Sequence, residues 1–134
     1  MENLVGKWGA IPIKDLKNRE LNIFVHPNDL ESLDKLEQPV NLIIDFESDY
    51  LKLKINNSFS IRLKPAIVQE AQKPEYFIND KVKTINSQGF FELGIIKDYY
   101  WHLKSNKYIY LLEVNGKMKS RRYYAEDLEI DNNN

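Results

Sequence analysis

Cysteine is absent from the 134 residues, so no disulfide framework, thiolate metal site or thiol nucleophile can be built. Histidine is scarce: His26 and His102 are the only two, far apart and in neither a His-x3-His nor a His-Glu-x-x-His spacing. Five glycines are present, no two closer than three residues, which leaves no Gly-rich phosphate loop, and no G-x-S-x-G nucleophile elbow occurs. No apolar run approaches the ~18 residues of a membrane-spanning helix. The first residues carry no basic segment followed by an apolar one, so no secretory signal is expected and Met1 reads as a natural start. These absences point to a cytoplasmic protein without metal, cofactor or membrane contact.

What is present suits one ordinary domain or two very small ones. Apolar residues make up 43% and charged residues 29%, enough to bury a core and remain soluble. The net charge of −1 hides a segregation. Residues 97–122 hold seven Lys and Arg against two carboxylates, while residues 123–134 are acidic. Six of the eight tyrosines fall in residues 99–124, together with Trp101.

Residues 1–20 are interrupted by Gly6, Gly9 and Pro12, and only a short strand near Lys7–Ile11 is expected. Leu21–Val25 reads as a strand. His26-Pro27-Asn28-Asp29 opens a helix at about 28–36, with proline in the first turn and Leu30, Leu33 and Leu36 along one face. From Pro39 the period becomes two. Val40–Phe46 is a strand, and residues 50–55 and 59–63 form a hairpin around Asn56-Asn57, with Leu51, Leu53 and Ile55 opposite Lys52 and Lys54. Residues 64–68 turn into a last small strand, and polar residues 70–75 read as a linker. Beyond it the pattern gives strands at 76–85 and 93–100, and a loop at 86–90. A hairpin follows at 108–124 about Asn115-Gly116, the strongest turn signal in the chain. A single helical turn near Ala125–Leu128 and a short strand come last.

The expected fold is therefore mainly β, divided into a β-rich N-terminal half at 1–73, a small barrel at 76–130 and a disordered tail at 131–134. The short linker implies that the barrel packs against the N-terminal half. The first half repeats the same order of elements, compatible with a degenerate second small barrel, but direct similarity between the halves is too weak to define a repeat.

The string Phe77-Ile78-Asn79-Asp80-Lys81-Val82, then Gly94-Ile95-Ile96, Tyr110-Leu111-Leu112-Glu113-Val114, Tyr123 and Asp127-Leu128, resembles SH3-like domains of the Tudor and KOW kind. Asn79 stands where those domains usually carry glycine. Trp101-His102-x-Lys104 with Arg121-Arg122-Tyr123 also resembles an uncharacterised family of small bacterial proteins. The resemblance covers roughly residues 76–130 and implies an SH3-like barrel, a fold that hosts many kinds of binding.

Candidate chemistry is sparse. His26 before Pro27 suits a capping role. Asp45, Glu47 and Asp49 could share a strand face as paired carboxylates, or simply form a solvated turn. The strongest candidate is a basic and aromatic ligand-binding patch of Trp101, His102, Lys104, Arg121, Arg122 and Tyr123, in which rings stack and cations neutralise an anion. It is weighed against tyrosine as an ordinary strand residue. A non-enzymatic binding module for nucleic acid or an acidic protein segment is the leading expectation. A dedicated protein partner, such as a toxin-neutralising or phage-related accessory protein, is the alternative, and a small enzyme the third.

Overall fold

The computed structural model describes residues 1–85, 89 and 91–132. They divide into two compact units, Met1–Lys73 and Pro74–Asn134. Among them, each unit holds one five-stranded antiparallel sheet.

In the first unit the strands are β1 (Trp8–Ala10), β2 (Val40–Glu47), β3 (Tyr50–Lys54), β4 (Ser60–Leu63) and β5 (Gln69–Ala71), in the order β4-β3-β2-β1-β5. The long connection from β1 to β2 carries helix α1 (Ile13–Lys17) and two 3-10 segments, Asn22–Phe24 and Pro27–Lys35. It supplies Leu16, Val25, Leu33 and Leu36 to an aliphatic core completed by Ile43, Leu51, Leu53, Ile61 and Leu63. The helix expected at 28–36 is thus a 3-10 helix. Leucines at intervals of three match its three residues per turn better than the 3.6 of an α-helix. Leu33 and Leu36 are fully buried, Leu30 partly so. Pro27 occupies the first turn, and His26 caps it by accepting the Asn28 amide through Nδ1 at 3.1 Å. The expected strand at 21–25 is the other 3-10 turn, with only Val25 bridging to Leu63.

The second unit contains β6 (Lys81–Thr84), β7 (Leu93–His102), β8 (Lys107–Val114), β9 (Lys117–Met118) and β10 (Leu128–Ile130), in the order β10-β6-β7-β8-β9. Asn115 and Gly116 have φ of 54° and 77°, as a two-residue hairpin turn requires. Residues 76–80 form turns rather than the start of a strand. The expected loop at 86–90 lies outside the described residues except for Gly89. Of the expected tail, Asn133 and Asn134 lie outside them also, while the Asp131 amide donates to the Lys81 carbonyl at 2.9 Å.

Numbered within its own unit, each sheet reads 4-3-2-1-5, and a 3-10 turn precedes each last strand, Pro65–Ile67 and Ala125–Asp127. The agreement extends to individual hydrogen bonds. The Gly6 amide donates to the Ile43 carbonyl and the Ile43 amide to the Lys7 carbonyl, both at 2.8 Å. In the second unit the Asn79 amide donates to Ile96 and the Ile96 amide to Asp80, at 2.8 and 2.9 Å. Gly6 and Asn79 both have positive φ, 90° and 80°. The second strand of each unit then bulges at matching places, Ile43/Asp45 and Ile96/Asp98. Each bulge is held by its aspartate, whose Oδ1 accepts the next amide, Phe46 at 2.8 Å and Tyr99 at 2.9 Å. The two units therefore repeat one backbone plan. No ladder joins β4 to β5 or β9 to β10 among the described residues, so each sheet is open where a closed barrel was expected.

Candidate functional site

The basic and aromatic stretch lies on β7, β8 and the chain leading to Tyr124. Trp101 faces Tyr108 across the ladder, Tyr99 faces Tyr110, and Tyr110 bridges to Tyr123. Partners across a ladder share a face, and here that face is the interior. Tyr99, Tyr108, Tyr110 and Tyr123 are buried, Trp101 half-buried. Ring centroids stand 4.9 Å apart for Trp101–Tyr108, 5.8 Å for Tyr99–Tyr108 and 5.4 Å for Tyr76–Tyr110, all edge-on, the geometry that aromatic quadrupoles favour. Tyr76 closes the cluster by donating its hydroxyl to the Leu128 carbonyl at 3.0 Å. Burial pushes the Tyr110 phenol up to about 12 and raises Tyr108 as well, so both stay neutral in physiological water. The rings are core, and Tyr123 offers no open stacking face.

The cations fall into two groups. Lys97 pairs with Glu113, Lys107 with Glu126 and Lys119 with Glu92, at 3.9, 3.3 and 3.4 Å. Lys104, Lys117, Arg121 and Arg122 are exposed and form no ion pair among the described residues. Arg121 lies over the Tyr123 ring, 4.7 Å from its centroid, so the ring holds the guanidinium at the surface. Adjacent strand residues would send the two arginines to opposite faces. Instead both are exposed, because the regular ladder ends at Met118 and the chain between the Lys119–Leu112 hydrogen bond and the Tyr123 bridge is not strand.

The six predicted residues fall on two segments. Trp101, His102 and Lys104 belong to the end of β7 and its turn, where His102 Nδ1 lies 2.7 Å from Ser105 Oγ. Arg121 and Arg122 lie between the attachments of Lys119 to Leu112 and of Tyr123 to Tyr110. From Lys107 to Leu111 is four residues, roughly 13 Å of strand. Arg121 and Tyr123 are brought together; Lys104 belongs to the β7–β8 turn.

Sequence reasoning assigned no role to the outer face of β3 and β4. There Ile44, Lys52, Lys54, Ser58, Phe59 and Ser60 line a shallow basin of about 400 Å³. Lys52 and Lys54 were placed correctly on the face opposite Leu51 and Leu53, but alternation alone cannot distinguish a lined basin from a solvated face.

The carboxylates at 45, 47 and 49 do not continue one strand face. Asp45 binds its neighbour's amide, and Ser48 and Asp49 make the β2–β3 turn at positive φ. Among the described residues no group of three or more His, Asp or Glu could hold a metal ion, and no helix is long and apolar enough to cross a membrane.

A family model described as a family of unknown function matches residues 1–129. The chain belongs to the DUF6960 family. The match takes in both units, whereas the resemblance read from the sequence covered only the second. No curated protein matches this DUF6960 chain.

Proposed function

We propose that this DUF6960 protein is a non-enzymatic binding module, made of two SH3-like units of the Tudor and KOW kind, that recognises an acidic protein segment through the second unit. The shared strand order, with a 3-10 turn before each last strand, supports the fold reading. The observation that carries the functional reading is Arg121, seated on the Tyr123 ring, with Arg122 and Lys117 nearby in sequence and none of the three in an ion pair among the described residues. A guanidinium held on a ring loses less freedom on binding and presents a fork of donors to a carboxylate. Burial of the tyrosines favours an acidic segment over nucleic acid, since single-stranded nucleic acid is held largely by base stacking on open rings. A cytoplasmic setting, which the lack of cysteine suits, and a bacterial one, which the sequence resemblance implies, accompany this proposal.

Fluorescence anisotropy with a labelled poly-glutamate peptide and a single-stranded oligonucleotide tests it. The peptide should bind, and Arg121→Ala with Arg122→Ala should weaken it by about 1–3 kcal/mol, the range for hydrogen bonds to charged groups. Equal peptide affinity in the double variant contradicts the assignment. Tighter binding of the oligonucleotide moves it to nucleic acid.

A further inference from the structure

The two units repeat one backbone plan, so corresponding surface positions can be compared directly. Ile43 faces Leu53 across its ladder as Ile96 faces Leu112, so register equates Ile43 with Ile96 and Leu53 with Leu112. Ile44 therefore corresponds to Lys97, Lys52 to Leu111 and Lys54 to Glu113. In the second unit this outer face is self-neutralised by the 3.9 Å Lys97–Glu113 ion pair. In the first unit the same positions hold an exposed isoleucine and two lysines; Asp45 faces Lys52 across the ladder, but neither lysine forms an ion pair among the described residues.

The first unit also gives this face a shape. The loop after β3 is fixed by Asn56, whose Oδ1 accepts the amides of Ser58 and Phe59 at 2.8 and 3.0 Å. The Ile55 amide donates to the Phe59 carbonyl at 3.0 Å. That turn holds Phe59 outward, 41% exposed, with Lys35 Nζ 4.2 Å from its ring centroid. The basin thus has an apolar wall of Ile44 and Phe59 and a cationic wall of Lys52 and Lys54, with the Ser58 and Ser60 hydroxyls as further donors. Two carboxylates on neighbouring strands and turns are engaged elsewhere: Asp29 by Arg62, which faces Lys52 from β4, and Asp45 through Oδ1 by the Phe46 amide.

We propose that this basin is a binding site for a small organic phosphate: an anion held by Lys52 and Lys54, on an aromatic or apolar body packed against Phe59 and Ile44. Lysines two apart on a strand face stand about 7 Å from each other, close enough for both ammonium groups to reach one phosphate, which each meets as a point charge. The volume admits a group much larger than phosphate alone. This site is independent of the arginine surface of the second unit.

Phenyl phosphate is the probe, followed by amide shifts of the full-length protein in two-dimensional NMR, with inorganic phosphate and phenol as separate titrants. The proposal predicts saturable shifts confined to residues around 44, 52–54 and 58–60, and weaker binding of both other titrants. Lys52→Ala with Lys54→Ala should raise the dissociation constant about tenfold or more, as loss of two charge-assisted contacts would, with an unchanged melting temperature. Arg121→Ala with Arg122→Ala should leave it unaltered, which separates failure here from failure of the acidic-segment reading. Scattered shifts, undiminished binding in the double lysine variant, or equal affinity for phosphate and phenyl phosphate would overturn the proposal. Should the double alanine variant fold poorly, Lys52→Gln alone gives the same discrimination with a smaller expected loss.

Discussion

Asp29 and Arg62 tie the 3-10 segment Pro27–Lys35 to β4. Arg62 donates through its Nε and a terminal nitrogen to the two Asp29 oxygens, at 2.9 and 3.0 Å, and its backbone amide reaches the same carboxylate at 2.8 Å. The geometry is bidentate and mostly sheltered. Burial is the largest single influence on the Asp29 carboxyl and acts to raise its pKa. The Arg62 hydrogen bonds and charge together outweigh it, so the carboxyl lies below its ordinary 3.8. A depressed folded-state pKa stabilises the protein above the unfolded value, and that contribution disappears as pH falls through the folded one. Asp29→Asn should therefore cost about 1–3 kcal/mol near neutrality. Urea unfolding at pH 7 and pH 3 should show the gap between variant and parent narrowing in acid. A gap of constant size would place the stabilisation elsewhere. The pair was not legible in the sequence: 33 residues separate its members, and nothing local marks either one.

Local elements were legible where geometry is local. Asn115-Gly116 gave its turn, and the threefold leucine spacing marked the segment after Pro27, though its 3-10 character follows only when three is taken literally. Asn79, out of place against the glycine of similar domains, sits at φ 80°. Asparagine tolerates that conformation far better than alanine. Asn79→Ala should cost about 1 kcal/mol and Asn79→Gly nothing or less than nothing, as measured by chemical denaturation; destabilisation by glycine comparable to that by alanine would contradict the conformational explanation. What local pattern missed was set by distant packing. Alternation over 117–124 suggested a full strand, yet only Lys117–Met118 pairs before the chain departs. Gly9 is another such case, at the centre of β1. A Cβ there would stand 2.7 Å from Val68 Cγ1 and 3.2 Å from Ile43 Cδ1, both on branched, buried or half-buried side chains. Gly9→Ala should destabilise the first unit by about 1–3 kcal/mol through overpacking. An unchanged denaturation midpoint would mean that β1 shifts without cost.

At the scale of the whole chain, one backbone plan is written twice in different side chains. Ile43 and Ile96, Asp45 and Asp98, and Leu53 and Leu112 coincide, but most corresponding positions do not. One core is aliphatic and the other is built on tyrosine. Hydrogen-bond register tolerates such divergence because it is made by the backbone, which is why the repeat is plain in the ladders and faint in the sequence. The basic stretch was legible as charge, but its division into paired and unpaired cations depends on Glu92, Glu113 and Glu126, whose positions only the fold supplies. The tyrosines were legible as strand residues, and register decided that they face inward. The proposed function rests on what remains outside: Arg121 and Arg122 for an acidic segment. Because exposed charges are screened by salt, that binding should weaken steadily as ionic strength rises. The most direct test is NMR mapping of a poly-glutamate peptide on the full chain at low salt. The account predicts saturable amide shifts centred on residues 117–124 that vanish when Arg121 and Arg122 are replaced by alanine; shifts elsewhere, or shifts that survive the replacement, would contradict it.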